Sequence, residues 1–363
     1  MTNRERFVRV LTGRDVDRVP FIKVFGGDNC VLPHWEQEYP GIGHEIDRLL
    51  GFDCPYRGWS ITPVNFDLSN REVSSVETAS DGRQTVRSSD GTVQVVIPRG
   101  DYHAHIIEYP VKDRSDWERV REEHLNPDDP TRFPPDWADY VESINARDFP
   151  LQLTHRGVYG MARNLVGDEN LAYLFYDDPA LVHEMMNYYT DMVIRLWKKM
   201  TPLISFDLVE FWEDMASKNG SLISPRLFRD FMLPNYRKVA DFAAENRIEV
   251  LLVDSDGYIE DLAALMAEGG VNAMYPFEVL AGNDVARLLE KLPSMAAIGG
   301  LDKGCMACGR DAMDAELEKA RGLILGGRFI PGPDHFVLSN VSFADYKYFM
   351  ERLRDIVMGM SRQ

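Results

Sequence analysis

The sequence predicts one α/β domain over residues 1–363, a (β/α)8 TIM barrel with an antiparallel β meander inserted at about 60–110. Two observations carry this. After Pro150, short apolar or β-branched runs alternate regularly with helical patterns, and a long alternating series favours a closed barrel over an open sheet. Five of those runs end in Glu, Asp or His: Phe211-Trp212-Glu213-Asp214, Val253-Asp254-Ser255-Asp256-Gly257, Tyr275-Pro276-Phe277-Glu278, Gly300-Leu301-Asp302 and Gly332-Pro333-Asp334-His335. Parallel strands deliver such ends to one rim, where barrel enzymes build their sites.

In chain order, a short helix over 3–12 precedes the first strand-like run, Arg18 to Val24, which Gly26-Gly27 ends. Ser80-Asp81-Gly82-Arg83 and Ser89-Asp90-Gly91-Thr92 then separate β-branched runs, and Asp-Gly between alternating segments signals hairpins. A meander there is placed to cover one barrel mouth. Strands follow at 151–154, 204–211, 249–254, 271–275, 295–299 and 327–331, with helices between them. The helix from Pro179 to Met200 opens at Asp177-Asp178-Pro179 and closes near Lys198-Lys199, as the helix dipole favours.

The 45% hydrophobic content is that of a globular protein, and no apolar run approaches the roughly 18 residues of a membrane span. The opening residues enter an amphipathic pattern, so a cytoplasmic location without a signal peptide is expected. A formal charge of −18 disfavours a nucleic-acid surface. Cys305-Met306-Ala307-Cys308 lacks the second pair of a structural zinc site, which leaves incidental thiols, a redox pair or metal ligands of another kind. No dinucleotide or P-loop fingerprint is present.

Asp254 and Asp256 stand at i and i+2 in a strand leaving the core, so both side chains share a side. Carboxylates held that close need a cation, a proton or strong donors, unless they merely cap the next helix. His335, after the rigid Pro331-Gly332-Pro333-Asp334, offers a neutral imidazole. On a shared rim, Asp254, Asp256 and His335 are candidate metal ligands, and Glu213, Glu278 and His335 are candidate acid–base groups. His155, Arg156, Tyr159 and Trp212 are candidate substrate-binding residues, with Arg163 near them. Phe25, Trp35, Trp59 and Phe336 are candidates to wall an apolar pocket. Asp302-Lys303 reads as a structural ion pair.

An ordered set of motifs resembles the uroporphyrinogen decarboxylase superfamily along nearly the whole chain. It comprises Asp17-Arg18-Val19-Pro20, Gly167-Asp168-Glu169-Asn170-Leu171, Glu213-Asp214-Met215, Asp254-Ser255-Asp256-Gly257, Pro276-Phe277-Glu278-Val279, Gly299-Gly300-Leu301-Asp302-Lys303 and Pro333-Asp334-His335. The resemblance implies a distorted (β/α)8 barrel with its site at the C-terminal rim. Decarboxylases of the superfamily carry Arg-Gln-Ala-Gly-Arg after the first strand to clamp substrate carboxylates. Here that place reads Val24-Phe25-Gly26-Gly27-Asp28-Asn29.

The other branch, the cobamide-dependent methyltransferases, holds zinc with His-x-Cys-Gly and a distal Cys. Asp254-Ser255-Asp256-Gly257 falls at the first position and His335 at the second, so the resemblance implies oxygen donors in place of sulfur. Such a set suits binding an oxygen atom. The implied activity is methyl transfer from a small, methoxylated donor to a corrinoid (cobalamin), with a divalent metal, zinc foremost, activating the leaving oxygen. The implied partners are that donor and a corrinoid protein, with a homodimer as the assembly considered. A metal-free decarboxylase or lyase of a small carboxylic acid is the alternative, and a catalytically silent subunit of a larger complex is a third.

Overall fold

A computed structural model describes residues 1–24, 31–54, 57–70, 74–80, 82–96 and 105–360. Phe25, the Gly26-Gly27 pair, Cys30 and Asp81 lie outside them.

Six parallel strands form the central sheet: β5 (Gln152–His155), β6 (Leu208–Trp212), β7 (Val250–Asp254), β8 (Ala273–Tyr275), β9 (Ala296–Leu301) and β10 (Phe329–Pro333), bonded in that order. Four strands, β1 (Ser74–Thr78), β2 (Gln84–Arg87), β3 (Val93–Val96) and β4 (His105–Glu108), form the antiparallel meander, also in sequence order. Its turns close through Ala79 N–Arg83 O at 2.8 Å and Ser88 N–Thr92 O at 2.9 Å, at the sites the Asp-Gly pairs mark. The meander is shorter than expected, and residues 61–70 are irregular.

The predicted strand at 19–24 forms no ladder among the described residues. Short contacts occupy the gap between the sheet edges instead. Ser60 bridges Leu151 in parallel beyond β5, Val24 N donates to Arg57 O at 3.0 Å, and Val24 packs tightly over Gly332 of β10. The α/β architecture stands, with six strands carrying full ladders and two irregular segments beside them.

Register decides which side chains face the interior. Trp212 pairs with Asp254, and Asp254 with Tyr275, so these three share one face, along with Glu210 two residues before Trp212. His155 pairs with Phe211 and Phe211 with Val253, which places that row on the other face, against the helices. Helix Pro179–Met200 covers it with buried Tyr189, Val193 and Trp197. No described helix is long and apolar enough to cross a membrane.

Candidate active site

The C-terminal ends of the strands surround a cavity of about 800 Å³. Its floor is acidic. Asp254 ends β7, while Asp214 and Asp256 sit on the turns after β6 and β7, and one carboxylate oxygen from each lies within 4.8 Å of the others. Local backbone builds this grouping: Asp214 adopts φ +42°, and the Asp256 amide donates to Asp214 Oδ1 at 3.3 Å. The next residue, Gly257 (φ +81°), packs so closely on Ala216 O that a Cβ would stand 2.6 Å from it, so the turn after Asp256 requires glycine.

Electrostatics follow from that crowding. Burial, with Asp256 second, pushes the Asp214 carboxyl up to about 6. Burial and Asp214 hold Asp254 well above the carboxylate range, against the pull of Arg57, whose Nη1 lies 3.3 Å from Asp254 Oδ2. Tyr275 OH donates to Asp254 Oδ2 at 2.8 Å and also contacts Glu210, so one hydroxyl joins two buried acids. His335 Nε2 lies 3.2 Å from Asp256 Oδ1. The opposite character comes from Ile61, Val64, Phe66, Phe336, Val337 and Leu338, an apolar wall above the floor.

One pH dependence follows from Asp214. Its folded-state value near 6 lies above the 3.8 of the free group, so the folded metal-free chain binds more protons than the unfolded chain between those values. Stability therefore falls as pH rises through about 4 to 6, by an upper bound of roughly 3 kcal/mol, and the cost is fully present above 6. Melting in EDTA at pH 5 and pH 7 should show this slope, and Asp214→Asn should flatten it. An unchanged slope in the variant would assign the effect to other groups.

The uroporphyrinogen decarboxylase (URO-D) family profile matches residues 92–356, well over half of the chain. The chain belongs to the URO-D family. Among solved structures this URO-D chain is similar to a methyltransferase from Methanosarcina mazei, with 16% identity, 98% of this chain and 99% of that one covered, and a TM-score of 0.63. That likeness concerns the fold. A putative vitamin-B12 independent methionine synthase from Listeria monocytogenes aligns over 60% of this chain and 69% of its own at 12% identity, with a TM-score of 0.34. No curated protein matches.

Among the residues predicted from sequence, Asp254, Asp256, His335, His155, Arg156 and Trp212 line the URO-D cavity. The tight acidic trio includes Asp214 where the sequence reading placed His335, which stands beside Asp256. Glu213 does not line the cavity: it is fully buried, and its carboxylate accepts from the amides of Val158, Tyr159 and Gly160 at 2.8 to 3.0 Å and from Tyr236 OH at 2.7 Å. It caps the helix Val158–Val166, a natural place for a carboxylate. Glu278 is likewise engaged, by Lys303 Nζ at 3.2 Å and the Gly257 amide at 3.0 Å, so it pins the turn carrying Asp256.

Tyr159 turns its hydroxyl to Asp168 at 3.0 Å, outside the cavity lining. His155 is counted in the cavity lining, but its ring packs against Tyr189, Trp197 and Phe211 in the layer under the helix, where burial lowers its pKa to about 3. Substrate contact through that ring is therefore corrected to a packing role. Arg163 binds the Asp214 carbonyl at 2.6 Å, and Lys303 pairs with Glu278 rather than Asp302. Trp35 and Trp59 are buried outside the cavity lining, joined to Val341 O and Gln152 Oε1. The meander contributes no described lining residue either; the mouth is walled by 61–66 and 336–339. Cys305 is buried and its thiol raised to about 12 by burial, which disfavours redox or ligand chemistry there.

Sequence reasoning missed Glu210, Tyr275, Arg57 and Thr62, all part of the cavity or its hydrogen-bond network. Glu210 was findable: it lies two residues before Trp212 on the same strand face. Arg57 lies on an irregular segment, where no periodicity marks it.

Proposed function

We propose that the chain is a cytoplasmic methyltransferase that moves a methyl group from the oxygen of a small methoxylated donor to a corrinoid carried by a partner protein. The observation that carries this reading is the trio Asp214, Asp254 and Asp256 on the floor of a cavity with an apolar wall. The shared fold with the Methanosarcina mazei methyltransferase supports it, as does the absence of the arginine run from Val24 to Asn29.

The residues fit a divalent cation. Three carboxylate oxygens within 4.8 Å repel one another, and Arg57 contacts only Asp254 among them. Oxygen donors with an imidazole beside them suit a hard or borderline ion, zinc among them. When bound, the ion supplies a Lewis acid that makes an ether oxygen a better leaving group. His335, oriented by Asp256, donates a proton to the departing oxygen. Arg156 and Trp212 orient the donor, and the apolar wall excludes water. A cavity of about 800 Å³ is sized for a small donor, so the corrinoid approaches the mouth from outside.

In a metal-replete sample, methoxylated aromatics should transfer methyl groups to Co(I) cobalamin, free or protein-bound, followed by the cobalamin absorption spectrum. No transfer from any donor tried would count against the reading. A metal-free decarboxylase of a small acid is the second reading, favoured by Arg57, Arg156 and Lys303 on the cavity wall. Carbon dioxide release from a metal-free sample would select it.

A further inference from the structure

Each carboxylate of the acidic trio has a basic partner: Arg57 lies 3.3 Å from Asp254, His335 3.2 Å from Asp256, and Arg163 4.0 Å from Asp214. Arg57 and His335 line the cavity, whereas Arg163 does not. It stands on the helix Val158–Val166, 51 residues from Asp214 in the chain, with its side chain 15% exposed, and it reaches the trio from outside the lining. A group so placed touches neither donor nor ion and acts only through what it holds.

What it holds is the Asp214 turn. Arg163 Nη1 donates to the Asp214 carbonyl at 2.6 Å, the one hydrogen bond to that carbonyl among the described residues. Asp214 itself stands at φ +42°, in the left-handed region that an L residue enters at a cost, and such a conformation persists where neighbours impose it. On either side the backbone is tied to the end of β7, Glu213 N to Asp254 O at 2.9 Å and Met215 N to Ser255 Oγ at 3.2 Å. Arg163 fixes the carbonyl between those two anchors, and with it the direction in which the Asp214 carboxylate leaves the backbone. The helix comes close enough for this because a Cβ is missing at Gly160, where it would stand 2.3 Å from the Trp212 carbonyl. The Arg163 guanidinium also lies 5.3 Å from the centroid of the Trp212 ring. One residue outside the cavity thus holds two that line it.

We propose that Arg163 is a positioning residue that sets Asp214 in the trio, so that all three carboxylates reach one cation. Its effect on a bound ion rests on the metal-dependent reading; its hold on Asp214 does not. Charge alone predicts the opposite sign. A cation beside three carboxylates repels a divalent ion, so removing it without moving Asp214 would tighten metal binding. Removing an orienting partner weakens it.

Zinc calorimetry on the full chain, in a double-mutant cycle of Arg163→Met and Asp214→Asn, tests this beside a crystal structure of metal-free Arg163→Met. Arg163→Met should weaken zinc binding about 10-fold, the 10- to 100-fold worth of an orienting partner less the repulsion removed. In the Asp214→Asn background the same substitution should cost nothing or tighten binding, because the ligand it acts through is gone. Arg163→Lys, which keeps the charge and a donor for the carbonyl, should fall between the parent and the methionine variant. In the crystal the Asp214 carboxylate should leave the 4.8 Å grouping. Unchanged or tighter zinc binding by Arg163→Met alone, equal losses in both backgrounds, or an unmoved Asp214 would overturn the proposal. If the parent binds no zinc, the metal-dependent reading falls and the position of Asp214 in the crystal alone decides the role of Arg163.

Discussion

Asp254→Asn is expected to lower divalent-metal affinity at least 100-fold and to remove methyl transfer, while the metal-free protein melts at a higher temperature than the parent. The two effects share one cause. Asp254 is buried beside Asp214, and that burial opposes its negative charge unless a cation is present. An amide keeps an acceptor for Tyr275 and Arg57 and removes the charge. Changing the outer partners of a metal ligand alone costs 10- to 100-fold in affinity, so losing a charged ligand should cost at least the upper figure. Calorimetry with Zn²⁺ and melting curves in EDTA measure the two halves. A variant that loses activity but binds metal as the parent does would assign Asp254 a role other than ligation.

Glu213→Ala is expected to destabilise the fold by about 3 to 5 kcal/mol, with activity per folded molecule changed only a few-fold. Three backbone amides and one tyrosine hydroxyl lose their acceptor in a fully buried place, and each stranded donor costs about 1 to 3 kcal/mol before local relaxation. Glu213→Gln, which keeps one carbonyl acceptor, should fall between. Denaturant melts combined with activity corrected for folded fraction separate a cap from a catalytic acid. A stable but inactive alanine variant would restore Glu213 to the chemistry.

The strand–helix series after Pro150 was legible because burial on both sheet faces leaves apolar runs punctuated by polar ends. Asp254-x-Asp256 was legible for the same reason. Which face each side chain takes was not, because alternation gives the period without the parity. Thr154 faces the cavity and His155 the helix, and only the pairing of His155 with Phe211 tells them apart. Glu213 and Asp214 illustrate the same limit: adjacent acids, one engaged as a helix cap and one in the trio. The run at 18–24 reads as a strand but holds its place by single contacts instead of a ladder, and 57–62, held the same way, gave little signal. Arg57 and Thr62 were hidden there.

A crystal structure of the chain soaked with zinc, with anomalous differences recorded at the zinc edge, tests the central claim most directly. The account predicts one strong peak within about 2.0–2.2 Å of carboxylate oxygens from Asp214, Asp254 and Asp256, with His335 beside it. A peak elsewhere, or none between those three side chains in a crystal that binds zinc at other places, would contradict it.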